Sequence, residues 1–374
     1  MKHDALRRLK SSSFVLLFAI CCVSGSTNAT QAQTRAYVAN ECPPSTVSVI
    51  DTETNTMVAD IPIASFSFAV AITPDGTRAY VAHAFPFTNG IVSVIDTATN
   101  SVIASVTVGV APHGIAITPD GTRAYVTNTS NNSVSVINTL TNTVSATVSV
   151  GGFPFGVAIT PNGRHAYVAN QLSNTVSVID TATNSVIDSI LVGPVPTGIA
   201  STPDGAHVYV TNRDGTVSVI DTANNIVAAA IPVGSFSVVS GPLNVAITPD
   251  GTRAYLTATR DSMISVIDTA SNSVIAEIAA GIFSHGIAIT PDSARAYATF
   301  PNRDAVAAID TATNTVIGDF IPVGRCPIGI AIMPVVPRSK DDCKDEGFSK
   351  FGPPAGPFKN QGQCIRYVNQ HSRN

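Results

Sequence analysis

Residues 114–128 read G-I-A-I-T-P-D-G-T-R-A-Y-V-T-N, followed by S-V-S-V-I-N at 133–138 and T-V-S-A-T-V-S-V at 143–150. Apolar and polar positions alternate within each short run, and Val, Ile, Thr and Tyr dominate. That is the composition of half-buried strands. The runs are separated by Pro-Asp-Gly and N-T-L-T-N (138–142), whose residues set turns by fixing φ or by bonding their own backbone. The stretch therefore reads as four short strands joined by tight turns.

The pattern recurs on both sides. Tyr125 has counterparts at Tyr37, Tyr80, Tyr167, Tyr209, Tyr255 and Tyr297, at spacings of 43, 45, 42, 42, 46 and 42 residues. A second signature, S-V-I-D or close to it, ends at Asp51, Asp96, Asn138, Asp180, Asp221, Asp268 and Asp310. A third, close to G-I-A-I-T-P, ends at Pro74, Pro119, Pro161, Pro203, Pro249, Pro291 and Pro334. Seven units of four strands specify an all-β, seven-bladed β-propeller with four antiparallel strands per blade. A β-helix would repeat at a shorter period, and a helical array would need a 3.6-residue periodicity. The G-I-A-I strand begins each blade at the axis. The C-terminal innermost strand (328–332) must then join the N-terminal three strands (36–63), which closes the ring and removes a sheet edge.

R-A-Y-V-T-N (123–128), S-V-I-D-T-A-T-N (177–184) and A-I-T-P-D-G-T-R (116–123) resemble the YVTN-family β-propeller repeat of bacterial exported and archaeal surface-layer proteins. The resemblance covers roughly residues 34–334 and implies a fold and an exported setting, with no shared reaction. Asn138 and Ser293 depart from the repeat, replacing its Asp and its turn Gly.

Outside the repeats, residues 1–32 read as a signal peptide. Lys2, Arg7, Arg8 and Lys10 precede the apolar run F-V-L-L-F-A-I-C-C-V (14–23), too short to span a bilayer, with cleavage expected after Ala29 or Ala32. A lipid-anchored Cys21 or Cys22 is the rival reading, disfavoured by Ile20 where such a site takes Gly or Ala. The repeats occupy a domain at 33–337, and 338–374 form a short Cys-containing tail with seven basic and four acidic residues. The chain has 21 Lys+Arg against 25 Asp+Glu, but residues 33–337 hold ten Arg, no Lys and twenty acidic residues, a net charge of −10. Phosphate tracking needs clustered cations, so nucleic acid is not an expected partner.

Four cysteines remain after signal removal, an even number suited to an exported protein. Cys42 follows the outgoing end of one strand and Cys326 precedes the incoming end of its antiparallel neighbour. A Cys42–Cys326 bridge is expected to staple the ring, leaving Cys343–Cys364 to pair within the tail.

A residue repeated seven times reads as structural, so the S-V-I-D carboxylates are expected to cap turns. Arg78 and Arg123 are expected to pair with turn carboxylates. Function should sit where the repeat breaks, on the face carrying the loops after the Tyr strands and before the innermost strands. One position there, six residues before each repeat Pro, reads Phe68, His113, Phe155, Thr197, Leu243, His285 and Ile328 around the channel mouth. Phe66, Phe68, Phe85, Phe87, Phe153 and Phe155 are candidate apolar anchors. Arg213–Asp214, Arg260–Asp261 and Arg303–Asp304 are candidate polar contacts. His113 and His285 could bind a ligand or act as acid and base, although they stand nearly across the channel from one another and no carboxylate joins them. No catalytic, haem or nucleotide motif is present, and neither a metal nor another cofactor is called for. The reading favoured by the sequence is a monomeric, exported, non-catalytic binding or cell-surface scaffold for an unknown protein or glycan. The alternative is a small-molecule enzyme, lactonase- or oxidoreductase-like, with its site at the channel mouth.

Overall fold

The computed structural model describes residues 34–63, 66–85, 88–233, 242–258 and 262–336, with residues 343, 344, 361, 364, 365 and 368 of the tail. The expected signal segment, Phe87, Arg260–Asp261 and most of the tail lie outside the described residues.

Seven four-stranded antiparallel sheets form the body. The closing sheet, blade 1, takes Pro327–Ile332 from the C-terminal side and Arg35–Asn40, Thr46–Asp51 and Thr56–Pro62 from the N-terminal side. Ala36 pairs with Ile332 and Val38 with Ile330, the register that ring closure requires. Blades 2 to 7 begin with Ser67–Ile72, Pro112–Ile117, Pro154–Ile159, Pro196–Ser201, Pro242–Ile247 and Ile287–Ile289. These first strands touch one another in turn around the axis.

The core lies between blades. Tyr37, Val47 and Val49 of blade 1, for example, pack against Val70, Val81 and Ile95 of blade 2. Each repeat Tyr is fully buried, so its hydroxyl must find a partner or cost free energy. It finds one in the next blade: Tyr80 donates to Asn142 Oδ1 at 2.8 Å, Tyr125 to Asn184 at 2.8 Å and Tyr297 to Asn55 at 2.6 Å. The accepting Asn stands in the left-handed region (Asn142 φ 53°, Asn184 φ 53°), which Asn tolerates better than most residues. The D-T-x-T-N turn is thus both a turn and a latch.

The repeat arginines behave differently from the sequence expectation. Arg78 Nη1 donates to the Thr139 carbonyl of the next blade at 2.7 Å, and Arg123 and Arg295 donate likewise to Thr181 and Thr52. The same carbonyls also accept the repeat Tyr hydroxyls, Thr139 from Tyr80 at 3.2 Å and Thr52 from Tyr297 at 3.0 Å, so guanidinium and phenol together join one blade to the next. The S-V-I-D carboxylates do cap turns. Asp96 Oδ1 accepts from the Ala98 and Thr99 N–H groups, and the bonds from Thr99 hold its carboxyl below the ordinary range. Asn138 fills the same place with its amide oxygen, accepting from Leu140 N–H at 2.9 Å. Ser293 takes the turn Gly position at φ 61° and keeps that turn's hydrogen bond, to Thr290.

Cys42 is joined to Cys326 with a Cα–Cα separation of 5.4 Å, across the closing blade. Cys343 is joined to Cys364, and both are buried with Val368. Two disulfides are compatible with an exported protein. Among the described residues no helix is long and apolar enough to cross a membrane.

Candidate active site at the channel mouth

At five of the seven positions after a mouth residue, Gly114, Gly156, Gly198, Gly286 and Gly329, the innermost strands approach so closely that a side chain will not fit; Ala69 and Asn244 stand at the other two. A Cβ on Gly114 would lie 2.3 Å from the Phe155 carbonyl, and one on Gly286 would lie 2.3 Å from the Ile328 carbonyl. Hydroxyls from the second strands satisfy this crowded backbone. Thr127 Oγ1 receives the Gly114 N–H and donates to the Phe155 carbonyl, both at 2.7 Å, and Thr299 does the same between Gly286 and Ile328. The result is a narrow channel of about 170 Å³. All seven positions counted from the sequence line it: Phe68, His113, Phe155, Thr197, Leu243, His285 and Ile328.

Above this ring runs a lip that the sequence did not disclose. Phe66, Ala111, Phe153, Val195, Phe283 and Cys326 each stand two residues before a mouth residue, and all have φ between 52° and 64°. Left-handed backbone is rare for bulky residues and marks an over-determined site. Five lip carbonyls accept the N–H of the residue four after a repeat Tyr, among them Glu41 to Cys326 at 2.9 Å, Ala84 to Phe66 at 3.1 Å and Arg213 to Val195 at 3.2 Å; at Phe283 the matching residue is Pro301, which has no N–H. Four polar side chains hold lip N–H groups in place: Ser45 on Phe66, Asn132 on Phe153, Asn174 on Val195 and Asp304 on Cys326.

His113 lies between two aromatic rings, with its centroid 5.1 Å from Phe68 and 3.5 Å from Phe155. Burial, and secondarily the charge of His285, push its pKa down to about 3. His285 is fixed by its backbone, whose N–H donates to Thr299 at 3.0 Å. Its Nδ1 is buried with no hydrogen-bond partner among the described residues. Burial, then the positive charge of Arg213, lower its pKa to about 4. Both imidazoles are therefore neutral at pH 7. Glu41, half-buried on the rim of blade 1, has its carboxyl raised by burial. Neither Glu41 nor the influence of Arg213 on His285 was recognised from sequence. Aligning the residue four after each repeat Tyr (Glu41, Ala84, Thr129, Gln171, Arg213) would have flagged both as the ionisable members of that set.

The remaining candidates divide. Asp214 bonds the Thr216 N–H and hydroxyl, Asp304 holds the lip at Cys326, and Arg303 lies over the Phe320 ring at 4.6 Å. These groups are committed to local structure and do not form a gripping set. Phe153 belongs to the lip, and Phe68 and Phe155 to the channel wall. Beside the channel a second cavity of about 360 Å³ is lined by Phe66, Phe68, Ala84, Phe85, Val110, Ala111 and Ser130. Among the described residues, no three His, Cys, Asp or Glu side chains come together at a metal-binding spacing.

A family model described as "Lactonase, 7-bladed beta-propeller" matches residues 28–187. No curated protein is significantly similar to the chain. Many solved structures share the fold. A putative 6-phosphogluconolactonase from Bacteroides fragilis is 16% identical with a TM-score of 0.70, covering 81% of this chain and 99% of its own. The periplasmic gluconolactonase of Pseudomonas aeruginosa is 16% identical with a TM-score of 0.68, covering 81% and 100%. Kuenenia stuttgartiensis hydrazine synthase is 23% identical with a TM-score of 0.63, covering 70% and 88%. At such identities the solved structures establish the fold alone, and the family model adds a direction. The expected non-catalytic scaffold is corrected accordingly: the match to the lactonase family model favours the enzyme alternative. The physical reason the first reading failed is visible in the loops. Asp214 serves its turn and Asp304 the lip, while Arg213 acts on His285 at the mouth. The chain is a seven-bladed β-propeller that resembles the lactonase propellers over residues 28–187.

Proposed function

We propose that this protein is an exported lactone hydrolase, built on a YVTN-like repeat, with its site at the channel mouth. The observation that carries this reading is His285. It lines a narrow channel and holds a buried, unpartnered Nδ1, under the influence of the Arg213 charge. An unsatisfied buried nitrogen costs free energy and calls for a ligand or water to complete it. The neutral imidazole can accept a proton from water as the water oxygen attacks the lactone carbonyl carbon. Arg213 then stabilises the tetrahedral oxyanion. As the ring C–O bond breaks, the imidazolium returns its proton to the departing ring oxygen. The sum is one water added across one ester, giving the open hydroxy acid. His113, held between Phe68 and Phe155, serves as part of a flat wall against which a small ring can rest.

Ring opening by the mature chain, residues 33–374, is the direct test, followed by proton release against a panel of five- and six-membered lactones. Turnover above the spontaneous rate that is lost in Arg213→Gln supports the assignment. A chain that accelerates no lactone in the panel would sink it.

A further inference from the structure

Resting on the hydrolase reading, we infer that the preferred lactone carries an apolar chain or ring beside its ester oxygen, and that the cavity beside Phe68 receives it. The channel, about 170 Å³, lies below the usual range of small-molecule sites, about 300–1,000 Å³, and admits little more than the lactone ring. The adjoining cavity, about 360 Å³, falls within that range. Phe68 is the common wall: it stacks on His113 on the channel side and lines the side cavity as well. The inference places the ester at the mouth and its substituent past the edge of the Phe68 ring, in the adjoining cavity.

The chemistry of the cavity selects its occupant. Among the described residues, Phe66, Phe68, Phe85, Val110 and Ala111 supply carbon surface, Ser130 supplies a hydroxyl, and no charged residue lines the cavity. A phosphorylated or polyhydroxylated substituent would lose its water there without replacement hydrogen bonds, at a cost of unpaired polar groups. Phosphate recognition wants clustered, forked cations. Residues 33–337 hold no Lys, and among the described residues the guanidinium coupled to the mouth is that of Arg213, on blade 5. The cavity lies between blades 2 and 3, away from it. Phe66 strengthens the case. It is an aromatic side chain held 36% exposed on left-handed backbone, a costly arrangement that a bound apolar group would offset.

The experiment is a homologous series on the mature chain: an unsubstituted lactone, the same ring with alkyl chains of increasing length, and a sugar lactone with and without phosphate. kcat/KM is expected to rise about fourfold per methylene until the cavity is filled, and both sugar lactones should fall below the alkyl compounds. Phe85→Ser and Val110→Asp should each flatten the slope of that series. Hydrolysis with a flat slope, or with preference for a sugar lactone, overturns this inference and leaves the hydrolase reading standing. Binding of the corresponding alkyl lactams, read as a rise in melting temperature, separates the opposite case. A shift that grows with chain length in a protein that opens no lactone keeps the apolar cavity and removes the hydrolase reading. Absence of both hydrolysis and graded binding removes both.

Discussion

The two faces of the ring use the same blades for opposite purposes. On the turn face, each residue type does one job repeatedly. Thr118 and Thr122 saturate Asp120, Asp96 caps its turn, and Tyr and Arg latch one blade to the next. A larger depression lies here, about 860 Å³ between blades 2 and 3, and Asp75, Arg78, Asp96, Asp120 and Asn138 line it. Its hydrogen-bonding groups are repeat residues already engaged in turns and latches. On the mouth face the space is smaller, but it holds two desolvated imidazoles, an orphaned nitrogen and a lip of left-handed residues. The proposed site therefore rests not on cavity size but on the unpartnered His285 nitrogen at a position where the repeat is broken.

The largest effect expected separates the faces by how each closes the ring. At the mouth, blades 7 and 1 meet near the Cys42–Cys326 bond, and on the turn face Tyr297 bonds Asn55. Replacing both cysteines by Ser should cost up to about 5 kcal/mol, the chain-entropy value for so long a loop. It should also lower activity, because Cys326 is in the lip, two residues before Ile328 of the channel wall. Denaturant melts beside kinetics at a temperature where both forms are folded will check this. A variant with unchanged stability would mean that the ring is held by interblade packing alone.

Next comes His285→Ala. Loss of a positioned base should lower kcat by about 10²–10⁴, with Asp120→Ala on the other face leaving kcat unchanged. The pH profile sharpens the same contrast. Because the folded pKa of His285 is depressed to about 4, the neutral, active form persists throughout the range above it. The acid limb of kcat/KM should fall near pH 4, not near 6.5. Stability follows the same sign: the unfolded chain takes up the His285 proton near its ordinary pKa and the folded chain does not. Stability thus declines as pH drops from about 6.5 toward 4 and levels below that. A limb near 6.5 would place His285 in bulk water and remove the argument from its burial.

This division was only half legible in the sequence. The seven-fold recurrence of Tyr, S-V-I-D and T-P made the fold a matter of counting. The same register gave the mouth residues, because equivalent positions in equivalent blades must surround one axis. Three things were hidden for physical reasons. The left-handed lip shows no common residue type, since Phe66, Ala111, Val195 and Cys326 are pinned by backbone bonds from a neighbouring strand and not by their own preference. Arg213 acts on His285 from two blades away, a reach set by ring curvature. Phe68 and Phe155 were expected as apolar anchors and His113 as a ligand-binding or acid–base group, all at the mouth, whereas interlocking inner strands bring the three rings into one stack.

Smaller effects test the turn face alone. Tyr297→Phe deletes one hydroxyl that bonds Asn55 at 2.6 Å, and should cost about 1 kcal/mol without altering kcat. Its small size beside the cysteine pair would show which face carries closure.

The smallest effect is the most demanding of the comparison. Asn138 lines the 860 Å³ depression and is the one departure from Asp among the seven caps. If that face is purely structural, Asn138→Asp restores the repeat and changes nothing else. The carboxylate would accept the Leu140 and Thr141 N–H groups that the amide oxygen accepts now. A charged acceptor bonds them more strongly. The gain should be under about 0.5 kcal/mol, as for most exposed substitutions. Its pH dependence is fixed in sign, because bonds from the turn hold the matching Asp96 below its ordinary 3.8. The gain is present above that value and disappears as pH falls through the depressed pKa of the folded state. Thermal melts at pH 7 and pH 3 will read it, with lactone turnover measured alongside. Were turnover to change, the amide of Asn138 would have a role the cap cannot explain, and the larger depression would have to be counted as a site after all.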